Sequence, residues 1–274
     1  MTRVVQISDT HLSPAKQHFA VNWKPLRDWV LAQNADLIIH TGDLTVDGAD
    51  SEEDMGAGAE LMRSLGAPVR AVPGNHDVGE AGNPYQPVNA ERLARWRRHF
   101  GSDWWSHDLA QWRLVGIDSM LFGSGDPEEA RQLEWLAQVM AGAGDRRIAW
   151  FTHRPLFIDH PDEADTGYWS VKPGPRQRIL DLLRRHDVSI VSTGHLHKWR
   201  DNVVGGCRYI WCGSSGFLVG PDNQPDMAGE KRLGAVVYDF VGTDVAIRRG
   251  DVPELTTLWI DDVLHEVYPP RHAA

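Results

Sequence analysis

Val4-Val5-Gln6-Ile7-Ser8-Asp9-Thr10-His11 starts as a mostly apolar, strand-like run and breaks at once into an acid and a histidine. The same design recurs along the chain. The run 37–40 leads to Gly42-Asp43, 69–72 to Gly74-Asn75-His76-Asp77, 148–151 to His153, and 189–191 to Gly194-His195-Leu196-His197. Each run is short and nearly continuous in apolar residues, as expected of a strand buried on both faces. A polar cluster at the end of every such strand is the organising pattern of this chain.

Helical patterns fill the gaps. Residues 23–33 carry Pro25 early and apolar side chains at 26, 29 and 30. Asn89 is a candidate N-cap for a helix closed by Gly101, and Asp126-Pro127-Glu128-Glu129 combines an N-cap, an N1 proline and an N3 glutamate. Gly174-Pro175 opens another helix, with Ile179, Leu180, Leu182 and Leu183 as its buried stripe. Strand and helix therefore alternate through about the first two thirds, which predicts an α/β layered fold. After about residue 203 the pattern turns to strands at 207–212, 234–240 and 244–248, read as a second sheet or the far edge of a mixed one. We expect one domain over 1–250 and a C-terminal extension over 251–274, either a closing helix or a subunit contact in a homodimer.

Composition narrows the function. The formal net charge is −10 and no block of Lys and Arg is long enough to track a nucleic-acid backbone, so extended nucleic acid is disfavoured as a substrate. Met1-Thr2-Arg3 runs straight into the first strand with no signal-peptide pattern, and no apolar stretch has the length of a membrane span, so a cytoplasmic location is expected. Cys207 and Cys212, five apart in a strand-like segment, should face opposite sides as buried thiols rather than a bridge. The twelve Trp are expected to serve as core and loop anchors, some walling a cleft.

In open α/β sheets, ligands gather at the carboxyl ends of the strands. The side chains there are His nitrogens with carboxylate and amide oxygens, a set suited to Mn, Fe, Zn or Co and not to a thiolate zinc site. One such motif alone is weak, but in this order and at strand ends they read jointly as a two-metal site. Asp9 and His11 are two apart, as are His195 and His197, so each pair would share a side of an extended segment. Asp43 follows a glycine that lets the backbone turn sharply, and its carboxylate can give one oxygen to each of two cations about 3.5–4 Å apart. Two divalent cations outweigh the two carboxylates, leaving a positive spot for a phosphate ester on an acidic protein. Metal-lowered water pKa would supply hydroxide near neutrality.

The pattern D-x-H, GD, GNHD, H, GHxH, spanning residues 9 to 197, resembles the calcineurin-like metallophosphoesterase superfamily. With Asp after GNH, it is most similar to the bacterial branch of class III cyclic-nucleotide phosphodiesterases and glycerophosphodiesterases. The resemblance implies a four-layer α-β-β-α sandwich of two mixed sheets flanked by helices. It implies that Asp9, His11 and His197 bind one metal, that Asn75, His153 and His195 bind the other, and that Asp43 bridges them. It further implies that His76 faces the scissile phosphate without binding metal, with Asp77 orienting its ring. The activity implied is hydrolysis of small phosphodiesters by in-line attack of a metal-bridging hydroxide. A phosphomonoesterase is the alternative, and a non-catalytic binding protein or a nuclease stand further off.

Other residues are read more plainly. His40, inside an apolar run, is a core histidine. Lys16 and His18 lie on a loop after the first motif. Arg154 either touches phosphate oxygens or pairs with a carboxylate. The stretch 157–173 lacks a regular period and is long for a compact domain, as expected of either a functional lid or a mobile segment; as a lid it would carry Tyr168 and Trp169 as substrate contacts beside Arg154.

Overall fold

The computed structural model describes residues 1–270, so the last four residues of the stretch read as an extension lie outside it. The strands are β1 (Thr2–Ile7), β2 (Leu37–Thr41), β3 (Val69–Val72), β4 (Trp105–Asp108), β5 (Trp112–Ile117), β6 (Arg147–Thr152), β7 (Val188–Thr193), β8 (Arg200–Val204), β9 (Cys207–Trp211), β10 (Ala235–Val241) and β11 (Asp244–Gly250). The helices are α1 (Trp23–Ala32), α2 (Glu52–Arg63), α3 (Asn75–Val78), α4 (Ala90–Phe100), α5 (Pro127–Ala141), α6 (Pro173–Arg185) and α7 (Leu264–Val267). One sheet has the order β11-β10-β1-β2-β3 and the other β4-β5-β6-β7-β9-β8. Both are mixed: β1, β2 and β3 run parallel, as do β5, β6, β7 and β9, while β10, β11, β4 and β8 join antiparallel.

The two sheets pack face to face. Val4, Ile39, Val236 and Tyr238 of one meet Trp112, Leu114, Phe151, Ile190 and Ile210 of the other in a single buried cluster. The outer face of the second sheet is covered by α5 and α6 through Leu136, Met140, Ile179, Leu180 and Leu183. The outer face of the first is covered by α1 and α2 through Leu26, Val30 and Met62. This is the expected four-layer sandwich of two mixed sheets between helices. Two of the predicted caps are formed: the side chains of Asn89 and Asp126 accept from the backbone N–H of Arg92 and Glu128 at 3.0 and 2.9 Å. Cys207 and Cys212 are free, buried and on opposite faces of their sheet, one in the outer cluster and one between the sheets.

The strands after residue 203 do not form a sheet of their own. β8 and β9 extend the second sheet, and β10 returns to pair with β1, placing β11 at the far edge of the first. The stretch from 251 packs onto the same body: Val252 joins the cluster under α1, and Ile260 and Val267 share another with Phe19, Val46 and Phe217. Among the described residues, no helix is long and apolar enough to cross a membrane.

Candidate metal centre

β1, β2, β3, β6 and β7 all end on the same side, and the loops leaving them carry the clustered acids, amide and histidines. Asp9, His11, Asp43, Asn75, His153, His195 and His197 are all buried. The expectation of extended segments is corrected here. Asp9 (φ 52°), His11 (φ 45°), Asp43 (φ 50°), His195 (φ 71°) and His197 (φ 52°) all occupy the left-handed region. Such a backbone costs on the order of 1–3 kcal/mol per non-glycine residue and persists only where neighbours enforce it. Here Asp9 N–H donates to Gly42 O at 3.0 Å and His11 N–H to Asp43 O at 3.1 Å, so successive loops brace one another. The side chains converge because the chain coils beneath them, not because they alternate along a strand.

Three overlapping groups of ligand atoms result among the described residues, the third formed by His11, Asp43 and His76. In the first, His197 Nε2 lies 3.3 Å from Asp9 Oδ1 and 3.4 Å from His11 Nε2. In the second, His153 Nε2 lies 3.2 Å from Asp43 Oδ2, 3.2 Å from Asn75 Oδ1 and 3.1 Å from His195 Nδ1. Asp43 Oδ2 is also 3.9 Å from His11 Nε2, so this one carboxylate stands between the first two groups. Its other oxygen accepts from His76 N–H at 2.9 Å.

The donor set fits divalent cations. Imidazole nitrogens face each other in pairs at hydrogen-bond distance, and at most one of each pair can carry a proton there. The nitrogen on the far side of each ring is already engaged: His153 Nδ1 with Thr41 O at 2.8 Å, His197 Nδ1 with Phe217 O at 2.7 Å, His195 Nε2 with Tyr168 O at 2.9 Å, and His11 Nδ1 with the Tyr268 hydroxyl at 2.8 Å. Outer partners of this kind fix the tautomer that leaves the inward nitrogen free for a metal. Burial holds His11 and His195 well below the usual histidine range, so both present lone pairs. Burial works against charge on His153 too, yet Asp43 outweighs it and raises that ring to about 9, marking the space between them as one that attracts positive charge.

His76 is half-buried, its ring centroid 5.2 Å from that of His11 and 4.4 Å from that of Tyr268. Asp77 does not orient it. The Asp77 carboxylate accepts from the N–H groups of Gly74, Leu44 and Thr45 at 2.9, 3.2 and 3.0 Å and from Thr45 Oγ1 at 2.7 Å, tying the third loop to the second. The helix start at Gly74 points the Asp77 side chain back at its own N-terminus, where it meets backbone donors. Arg154 pairs with the Glu80 carboxylate and lies under the Tyr168 ring, 5.5 Å from its centroid, and is not among the residues lining the cavity over the centre. That cavity, of about 240 Å³, is walled by Tyr168, Trp169, Phe217, Ile260, Tyr268 and His76. Tyr168 also receives Asn75 Nδ2 on its hydroxyl at 3.2 Å. His40 is a core residue whose Nε2 meets Thr10 Oγ1 at 3.0 Å. Lys16 and His18 bind the C-terminal stretch, at Val267 O (2.6 Å) and Glu266 (3.1 Å).

Sequence reasoning missed Thr41, Phe217 and Tyr268. The first two act through backbone carbonyls that any residue possesses, and Tyr268 lies 257 positions from the ring it touches.

The calcineurin-like phosphoesterase family model matches residues 2–199. The chain belongs to that family. It is 30% identical over 250 residues, 83% of each chain, to a probable glycerophosphodiester phosphodiesterase of Arcobacter nitrofigilis. It is 31% identical over 198 residues to a serine/threonine-protein phosphatase of Danio rerio, covering 70% of this chain and 62% of that protein. Among solved structures, a purple acid phosphatase from yellow lupin seeds superposes with a TM-score of 0.70 over 94% of this chain and 52% of that one, at 15% identity, a likeness of fold alone. As a family member with these clustered ligand atoms, the chain is a metal-dependent phosphoric ester hydrolase with a divalent metal centre.

Proposed function

We propose that the protein is a phosphodiesterase for small diesters of the glycerophosphodiester or cyclic-nucleotide type, working with two metal ions. Asp9, His11 and His197 would hold one ion, Asn75, His153 and His195 the other, and Asp43 both. The position of Asp43 Oδ2, 3.2 Å from His153 Nε2 and 3.9 Å from His11 Nε2, carries the two-ion reading. When bound, such ions lower the pKa of water toward neutrality and withdraw charge from phosphoryl oxygens. The chain's own residues do the rest. The aromatic walls of Tyr168, Trp169 and Phe217 exclude water and hold the ester. His76, at the rim of the same cavity and free of the ligand groups just assigned, donates a proton to the departing alcohol oxygen. The relation to the Arcobacter protein supports the diester over other esters, and the small cavity suits a small substrate rather than a polymer.

The relation to the Danio protein favours a second reading, a phosphomonoesterase. Hydrolysis of an aryl diester and of the monoester with the same leaving group separates the two. The diester reading requires a rate on the diester at least comparable to that on the monoester, and a large preference for the monoester refutes it. Metal analysis tests the two-ion reading: Asp43→Asn is expected to weaken both sites, and loss of one ion alone would remove the bridging role.

A further inference from the structure

The outer partners of the four histidines are not equivalent. His153 is held by Thr41 O, on a central strand, and His195 by Tyr168 O. His197 and His11, both in the first ligand group, depend instead on the C-terminal stretch. Phe217 O, which receives His197 Nδ1, lies on a loop whose next residue, Leu218, pairs with it: Leu218 N–H donates to Leu258 O at 2.8 Å and Ile260 N–H to Leu218 O at 3.0 Å. Asp261 ties down the same loop, accepting from Gly220 N–H at 2.6 Å and Asn223 Nδ2 at 2.9 Å. Past α7 the chain delivers Tyr268, whose hydroxyl meets His11 Nδ1 at 2.8 Å. Lys16 on Val267 O and His18 on Glu266 hold this last turn against the loop that follows the first motif.

We propose that Tyr268 is a positioning residue of the metal centre, its hydroxyl fixing the tautomer and angle of His11, so that the site of Asp9, His11 and His197 depends on the C-terminal stretch. The inference rests on His11 being a ligand through Nε2. If Nε2 is to offer a lone pair, Nδ1 must carry the proton and needs an acceptor. Among the hydrogen bonds of His11 Nδ1 in the described residues, only the Tyr268 oxygen meets that need. The other three rings are held by backbone carbonyls, which persist whatever the side chain. Only His11 is held by a side chain, and one replaceable by mutation without disturbing a strand. The ring of Tyr268 has a separate task, since it walls the cavity beside His76.

Outer-partner loss at a metal-binding histidine costs about 10–100-fold in affinity. Calorimetric titration of the metal-free protein with Mn²⁺ alone is the test, on the wild type, Tyr268→Phe and His11→Ala. Tyr268→Phe keeps the ring and deletes the hydroxyl, and is expected to weaken one of two binding events by that factor and leave the other unchanged. The ¹⁵N shifts of the His11 ring in the metal-free protein should move toward a mixed tautomer. Wild-type affinity in Tyr268→Phe, with weakened binding in His11→Ala, overturns the proposal alone. Wild-type affinity in His11→Ala overturns the ligand assignment beneath it. Should Tyr268→Phe fold poorly, Lys16→Met frees the last turn without touching Tyr268 and must weaken the same event; unchanged affinity there also overturns the proposal.

Discussion

Glycine next to a candidate ligand is a steric requirement here. A Cβ on Gly194 would lie 2.0 Å from Ser8 Oγ and 2.6 Å from Asp9 Oδ2, and one on Gly74 would lie 2.2 Å from Asp43 Oδ1. Gly194→Ala is therefore expected to push Asp9 out of place at a cost of about 1–3 kcal/mol, typical of overpacking. Elemental analysis should find metal lost from the folded variant, and full occupancy would show that the loop absorbs the methyl group. His76 is predicted to behave differently. His76→Ala should retain its metal yet lose rate by about 10²–10⁴-fold, the usual worth of general-acid help. The loss should be greatest for alcohols that leave poorly and least for nitrophenolate. Equal loss across leaving groups would assign His76 to the phosphoryl oxygens instead.

Between β6 and α6 the chain forms an irregular but well-anchored stretch. The Glu163 carboxylate accepts from the N–H groups of Ile158, Asp159 and His160 at 2.7, 2.8 and 3.1 Å and pairs with the buried Arg176 at 3.4 Å. That internal scaffold presents the short 3₁₀ turn Gly167–Trp169 to the metal centre. Trp169→Ala should raise the KM for a diester while metal content stays whole, because the indole walls the cavity and ligates nothing. Unchanged kinetics on every active ester would remove this stretch from substrate recognition. α2 and β4 are among the elements that escaped the periodicity reading. α2 carries Gly56 and Gly58 in a short acidic run, and a Cβ on Gly58 would lie 2.7 Å from Leu44 Cδ2, so close packing on the second loop outranks helix propensity. β4 is polar along most of its length and exists through its pairing with β5, where Trp105 lies over Gly116.

A polar knot joins the two sheets beneath the site. The Tyr238 hydroxyl bonds Gln6 Oε1 at 2.7 Å and Ser192 Oγ at 2.8 Å, Ser192 Oγ donates to Gln6 Oε1 at 2.6 Å, and Gln6 Nε2 donates to Thr41 Oγ1 at 2.9 Å. Tyr238→Phe leaves buried polar atoms short of a partner and should destabilise the protein by about 1–3 kcal/mol. Urea unfolding should show a lower midpoint at an unchanged slope. Asp118, fully buried at the end of β5, makes stability depend on pH. Burial first, and the charge of Asp103 second, push it well above the ordinary carboxyl value. A folded pKa above the unfolded one gives stability that is fully present below the unfolded value, near 3.9, and lost as pH rises through the folded value. Asp118→Asn can keep the bond to Met120 N–H (2.8 Å) and removes that loss. Its melting temperature relative to wild type should therefore climb from pH 4 to pH 8, and a pH-independent difference would refute the assignment.

The strands ending at Ile7, Thr41, Val72, Thr152 and Thr193 were legible because apolar runs and the polar residues after them are neighbours in sequence. For the same reason the chain announced its acids, amide and histidines, whose types alone limit the chemistry. Local signals could not convey how those side chains meet. Left-handed backbone at Asp9, His11, Asp43, His195 and His197 is imposed by bonds between loops, and the sequence offered only alternation as a guide. The return of β10 to β1, 232 residues from Gln6 to Tyr238, is a choice between sheet edges that periodicity does not encode. Asp77 is the sequence neighbour of His76, yet folding brings its carboxylate to the backbone donors of Gly74 and Thr45. Tyr268 carried no motif at all, because an outer partner needs only one oxygen at the right place, and place is a property of the folded chain.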